Sequence, residues 1–276
     1  MSGTLYLVPT PIGNLGDISR RMADTLAQAD FIAAEDTRVT VKLLNHLGIK
    51  KPMAAYHRHN LDTAGPAILN RLLAGENCAL VTDAGTPAIS DPGEDLVALC
   101  AAAGVPVCAI PGPCALPTAL SVAGLPTSRF TFEGFLPQNR KNRRAQLDAL
   151  REEERTMVFY EAPHKLAATL AELADVLGAD RRAVLCRELT KLHEEILRLP
   201  LGALAERYRQ QQPRGEFVLV VEGAAPAPEE VDLDAAQARV EQLRGQGLAL
   251  KQAAAQAARE MGCSRRTLYE RVLGKR

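Results

Sequence analysis

At 276 residues the chain is long for one domain and comfortable for two, and its 47% hydrophobic and 24% charged residues are ordinary globular proportions. Its 33 basic and 33 acidic residues cancel overall but not locally: residues 235–276 hold nine Lys/Arg against three acids, which leaves that segment at +6 and residues 1–234 at −6. The uncharged stretch Leu96–Ser128 is broken by Pro106, Pro111, Pro113, Pro117 and Pro126, so it reads as buried helix, strand and loop and not as a bilayer helix. Neither a basic n-region nor a long apolar run opens the chain, so no signal peptide is expected and the protein is placed in the cytoplasm. Six cysteines without a C-x-x-C suit a reducing compartment. His193-Glu194-Glu195 lacks the second His of a zinc helix, because position 197 is Leu, and no metal is expected.

In chain order, the first half alternates strand and helix. Leu5–Val8 reads as a strand, Ser19–Ala29 as a helix, Phe31–Ala34 as a strand ending at Glu35-Asp36-Thr37-Arg38, and Val39–Leu47 as a helix stopped by Gly48. Ala64–Ala74 predicts a helix stopped by Gly75, Ala79–Thr82 a strand, Glu94–Ala103 a helix ending at Gly104, and Val105–Ile110 a strand. Such βα alternation predicts a mostly parallel sheet covered on both faces. Past residue 117 the texture changes: Phe130–Phe132, Met157–Tyr160, Ala183–Arg187 and Phe217–Val221 read as strands, and the basic cluster Arg140-Lys-Asn-Arg-Arg144 precedes a helix Ala145–Arg151.

The expected organisation is therefore a first α/β domain over 1–116, a second α+β domain over 117–223, a Pro/Ala linker over 224–234 and a helical module over 235–276. In that module Ala235–Leu243, Ala249–Met261 and Ser264–Leu273 read as helices. Ser264 caps the last one, whose exposed face carries Arg265, Arg266, Tyr269 and Arg271. Two helices around a short Gly262-Cys263 turn match the helix-turn-helix arrangement, with an Ala-rich dimerisation hairpin as the other reading.

Three strand-like runs empty into loops of Gly, Pro and small polar residues: Val8-Pro-Thr-Pro-Ile-Gly-Asn14, Asp83–Gly93 and Ile110-Pro-Gly-Pro-Cys-Ala115. Loops at the carboxyl ends of parallel strands form the ligand crevice of open α/β sheets, and residues without bulk let a ligand approach the backbone. None is a G-x-G-x-x-G opening a helix or a G-x-x-x-x-G-K-[ST] cradle, so neither a Rossmann dinucleotide site nor a P-loop is indicated.

Together with Glu35-Asp36-Thr37-Arg38, Gly134-Phe-Leu-Pro137, Tyr160-Glu-Ala-Pro-His-Lys165, Glu188-Leu-Thr-Lys191 and Gly215-Glu-Phe-Val218, these motifs run in order over residues 5–223. In them the chain resembles the tetrapyrrole methylase superfamily, in its branch of small-subunit ribosomal RNA methyltransferases. The resemblance implies two α/β domains with a cofactor cleft between them, a homodimer, and methyl transfer from S-adenosylmethionine to a cytidine ribose 2′-hydroxyl in the decoding region of 16S rRNA. By the same resemblance Ile12, Asp83, Gly85, Thr86, Ile89, Cys114 and Ala115 line the cofactor, and Ala162, Arg187, Glu216 and Phe217 close it from the second domain. Pro113-Cys114 stands where relatives often carry Val-Ser or Ile-Thr.

A ribose hydroxyl is a poor acid, so a base within about 3 Å assists its attack. Glu35 and Asp36 at a strand end and Lys191 after another are the candidates, with Asp36 and Arg38 equally readable as helix cap and ion pair. Arg38, Arg58, Arg140, Lys141, Arg143, Arg144, Arg265 and Arg266 are the expected RNA contacts. Two rivals stay open: a tetrapyrrole-precursor C-methyltransferase, and a small-molecule-sensing regulator that binds DNA through its tail.

Overall fold

The computed structural model describes residues 1–211, 213–225 and 232–274, which fall into two compact units, Met1–Ala224 and Ala225–Arg276. Residues 226–231 of the expected linker, and Lys275 and Arg276 of the basic tail, lie outside the described residues.

The alternation of the first half is built as β1 (Leu5–Leu7), α1 (Arg20–Gln28), β2 (Phe31–Ala34), α2 (Thr37–His46), β3 (Met53–Ala55), α3 (Leu61–Leu73), β4 (Cys78–Val81), α4 (Glu94–Ala102) and β5 (Val107–Ala109). The five strands form one parallel sheet in the order β3-β2-β4-β1-β5. Side chains alternate across it: Phe31, Ala33 and Leu80 pack with α3 and α4 on one face, while Ile32, Ala34, Ala79 and Val81 pack with Met22, Leu26 and Leu44 on the other. Both faces are therefore covered, as the near-continuous apolar strands require. Strand β3, Met53-Ala-Ala, is too short and too exposed to be read from its own pattern; its register against β2 places it.

The second half comprises α5 (Ala115–Ala123), β6 (Phe130–Phe135), α6 (Arg140–Ala149), β7 (Thr156–Glu161), α7 (Leu166–Leu177), β8 (Arg182–Arg187), β9 (Glu195–Pro200), α8 (Leu201–Tyr208) and β10 (Phe217–Val221). Its sheet runs β6-β7-β10-β8-β9, parallel between β6 and β7 and antiparallel elsewhere. The basic cluster does not precede α6 but forms its first turns, because Asn139 caps the helix by accepting from the backbone N–H groups of Lys141 and Asn142. Alternation along β10 explains how the two halves join. Phe217, Leu219 and Val221 face a core shared with α7 and α8, whereas Val218 and Val220 face Ile12, Ala119, Leu120 and Ala123, which belong to the first loop and to α5.

The second unit holds α9 (Leu233–Gly245), α10 (Leu250–Glu260) and α11 (Arg265–Val272) around its own core of Val240, Leu243, Ala253, Ala257 and Leu268. Ser264 caps α11 by accepting from the Thr267 N–H. Tyr269, expected on the exposed face, is half-buried against that core, directly after the inward-facing Leu268.

Candidate active site

The three loops are fastened to one another at the carboxyl end of the parallel sheet. Thr10 and Gly85 exchange both backbone hydrogen bonds (2.9 and 3.0 Å), and the Thr10 hydroxyl donates to the Thr82 carbonyl at 3.0 Å. The Thr86 hydroxyl donates to the Pro113 carbonyl at 2.9 Å, tying the second loop to the third. Gly85 adopts φ +87°, a left-handed conformation that glycine takes without strain, and the Ile12 side chain lies 3.5 Å from where a Cβ would stand.

Between these loops and the second sheet lies a cleft of about 440 Å³. Ile12, Asp83, Gly85, Thr86, Ile89, Cys114 and Ala115 line it from the first half, and Ala162, Glu216 and Phe217 from the second. Arg187 does not line it: its guanidinium donates to the Arg214 carbonyl at 2.8 Å and lies 3.8 Å from Glu195, which turns it away. Sequence reasoning missed the aromatic wall Phe135 and Tyr160, together with Asp91 and Leu189. Phe135 and Tyr160 meet edge to face at 5.7 Å, a contact made by the β6–β7 pairing and invisible in either strand alone.

Glu35, Asp83 and Asp91 put three carboxyls on the first half's side of the cleft, and Glu161 and Glu216 line it from the second. Burial raises the Glu35 carboxyl above its ordinary range, opposed by the Asp83 backbone N–H, which donates to it at 3.5 Å. Burial raises Asp83 as well, against the hydrogen bond it accepts from the Asp36 N–H at 3.2 Å. Asp91 is pushed up to about 6, first by burial and then by the charge of Glu35. A site that makes carboxylates costly to ionise is prepared for a cation.

Of the three expected bases, only Glu35 lines the cleft. Asp36 caps α2, accepting from the Arg38 N–H at 2.8 Å and pairing with the Arg38 guanidinium at 2.6 Å, which holds its carboxyl down at about 2. So weak a base takes no proton from a hydroxyl. The Lys191 ammonium loses some basicity to burial, but its bonds to Glu188 (2.8 Å) and Glu216 (3.1 Å) outweigh that and hold it above its usual value. It is a protonated clasp and not a base.

The expected RNA contacts divide in the same way. Arg143 is turned inward: it pairs with Glu172 and donates to the Thr169 hydroxyl, which in turn donates to the buried Glu161 beside Ala162. Arg144 is spent on Asp148 and Asp175, and Arg58 donates to the Ser90 carbonyl of the second loop. Arg140 and Lys141 are exposed and have no acidic partner among the described residues, while Arg38 stands out from α2 with its side chain 88% exposed. In the second unit Arg265 is exposed and Arg266 pairs with Glu270.

Comparison with known proteins agrees with this architecture. Residues 4–205 match the family model of tetrapyrrole (corrin/porphyrin) methylases and residues 230–276 that of the RsmI C-terminal HTH domain. The methyltransferase CobJ superposes with a TM-score of 0.60 at 18% identity, covering 82% of this chain and 97% of that one. A uroporphyrin-III C-methyltransferase from Thermus thermophilus, complexed with S-adenyl homocysteine, superposes with a TM-score of 0.56 at 18% identity, covering 80% and 97%. At these identities the two structures establish the fold. The ribosomal RNA small subunit methyltransferase I of Pseudomonas aeruginosa is 48% identical over 99% of this chain and 97% of its own length, and that of Escherichia coli O157:H7 is 48% identical over 98% and 95%. With a fold, a cleft and full-length relatives in agreement, the chain belongs to the ribosomal RNA small subunit methyltransferase I family of the tetrapyrrole methylases.

Proposed function

We propose that this protein transfers the methyl group of S-adenosylmethionine to the ribose 2′-hydroxyl of a cytidine in the decoding region of 16S rRNA, within the small ribosomal subunit. The observation that carries the reading is the cleft, which sets the carboxyls of Glu35, Asp83 and Asp91 against an apolar wall and has no phosphate cradle. Bound there, the donor supplies a methyl group on a cationic sulfur. Glu35, Asp83 and Asp91 would hold the positive end, and Ile89, Phe135 and Phe217 would cover the apolar one. Gly85, whose position leaves room in front of Ile12, admits the ligand close to the backbone.

Glu35 is the residue that receives the hydroxyl proton. Its carboxyl is half-buried, its basicity is raised by that burial, and the Asp83 N–H orients it. Positioning does the rest, since holding donor and acceptor in line can supply roughly 7–11 kcal/mol. Arg38, Arg140 and Lys141 meet RNA phosphates on the first unit, and Arg265 adds to them on the second. The protein works in the cytoplasm as a homodimer; no described helix is long and apolar enough to cross a membrane. Sedimentation at micromolar concentration checks the dimer.

The deciding experiment incubates labelled S-adenosylmethionine with small subunits from a strain lacking this gene and maps 2′-O-methyl positions. One labelled cytidine in the decoding region is the expected result. Glu35→Gln should then lower kcat by about 10²–10⁴ while leaving donor affinity within a few-fold. Normal turnover by that variant would remove Glu35 from the chemistry.

A further inference from the structure

A second cavity, of about 280 Å³, opens between the first loop and α2 and shares one lining residue with the donor cleft, Asp83. Its α2 wall is made by Val39, Lys42, Leu43 and His46, spaced i, i+3, i+4 and i+7, which is one face of a helix. Opposite them stands Leu15, 49% exposed, and Val39 is 37% exposed. The cavity is thus apolar at its sides and cationic at its rim.

Helix α2 is also unusual for its surroundings. Residues 1–234 carry a net −6, yet Thr37–His46 holds Arg38, Lys42 and His46 and no acid, Arg38 alone being paired among the described residues, with the capping Asp36 just outside the helix. These three recur every fourth residue, so they form a single row climbing about 6 Å per step. A row of that kind follows a strand of phosphates, which no small acidic ligand of one or two charges would need.

Resting on the reading of the acceptor as RNA, we infer that this cavity is the acceptor-nucleotide site: the extruded nucleoside sits between Leu15 and Val39, and the flanking phosphates lie along Arg38, Lys42 and His46. Enzymes that act on one nucleotide take it out of its stack into a pocket, and single-stranded RNA is read through splayed bases packed on side chains. At 280 Å³ the cavity lies near the small end of ligand clefts, about 300–1,000 Å³, which excludes an oligonucleotide and suits one base with its ribose. The shared residue then brings the ribose to Asp83, whose N–H donates to Glu35 on the donor side, so acceptor and donor meet at Asp83 with Glu35 one hydrogen bond away.

The test uses the full-length protein with two substitutions made separately. Val39→Trp fills the cavity from its rim; it should cut kcat/KM for unmethylated small subunits by about 100-fold while donor affinity, measured by calorimetry without RNA, stays within two-fold. Lys42→Glu should raise KM for subunits roughly tenfold and flatten the salt dependence by about one charge, with kcat nearly unchanged, and Lys42→Arg should restore both. Wild-type KM and salt slope in both substitutions would overturn the site while leaving the methylation reading intact. Wild-type protein that methylates no subunit RNA would overturn that reading and this site with it. If Val39→Trp instead splits a wild-type dimer into monomers and Lys42→Glu leaves subunit KM unchanged, the cavity belongs to an interface between copies and the proposal falls.

Discussion

Asp91 stores a pH response in the donor cleft. Its carboxyl titrates near 6, where an ordinary aspartate would have ionised two pH units lower, because burial and the charge of Glu35 disfavour the anion. The folded state therefore holds a proton that the unfolded state has lost between about pH 4 and 6. Stability from this group is greatest at the acid end of that window and falls as pH rises through 6. A cationic donor reverses the preference, so its affinity should strengthen from pH 5 to pH 7. Asp91→Asn should abolish that dependence, weaken donor binding at pH 7.5, and stabilise the free protein there by about 1 kcal/mol after allowance for solvent screening. Calorimetric titration across pH with melting curves measures both; an unchanged pH profile in the variant would show that another carboxyl governs it. Asp36 makes the contrast one residue from the cleft wall. Its carboxylate serves the α2 cap, so Asp36→Ala should lower the melting temperature yet leave turnover per folded molecule close to wild type.

At the scale of elements, the segment after β8 acts as a fastener between the two halves of the cleft. Glu188 and Thr190 adopt left-handed backbone (φ +52° and +68°), which non-glycine residues accept only when their surroundings enforce it. Those turns set Leu189 into the cleft wall and send the Lys191 stem across Gly13, where a Cβ would stand only 2.3 Å from Lys191 Cγ. Gly13→Ala must therefore displace the clasp or the first loop, and it is expected to weaken donor binding and lower the melting temperature. Lys191→Ala should do so more mildly, and the double variant should be less impaired than the sum, with a coupling of about 0.5–3 kcal/mol in a double-mutant cycle. Strict additivity would mean that the two positions act apart. Little of this was legible in the sequence, because Glu188 is held by the backbone of Glu216, 28 residues further along the chain. The βα alternation was legible, since Phe31–Ala34 and Cys78–Val81 are buried on both faces and read as unbroken apolar runs. Strand β9, Glu195-Ile-Leu-Arg-Leu-Pro, was not: it is a half-exposed edge whose identity comes from its register with β8. The loop residues of the cleft could be assigned by motif, whereas Arg143, expected on RNA, and Arg187, expected to close the cofactor, are turned elsewhere by Glu172 and the Arg214 carbonyl, partners distant in the chain.

For the whole molecule, the division into two units separates two kinds of affinity. Every residue that lines the donor cleft lies within Met1–Ala224. The second unit carries its surplus charge unevenly: Arg239, Arg266 and Arg271 are paired with Glu260, Glu270 and Asp234, while Lys251, Arg259 and Arg265 line one shallow depression that holds no acid. Charges already paired release few counterions when RNA arrives, and the three in the depression are those that should set the salt dependence. Removing residues 225–276 should therefore weaken binding to small subunits and flatten the plot of log affinity against log salt, yet leave donor affinity within two-fold. Replacing Lys251, Arg259 and Arg265 together by Ala should reproduce most of the loss, reducing the slope by about two given roughly 0.7–0.9 per phosphate contact. Equal losses of donor and subunit affinity on truncation would mean that the second unit supports the cleft, and a triple variant with the wild-type slope would place the RNA on another face of the helices.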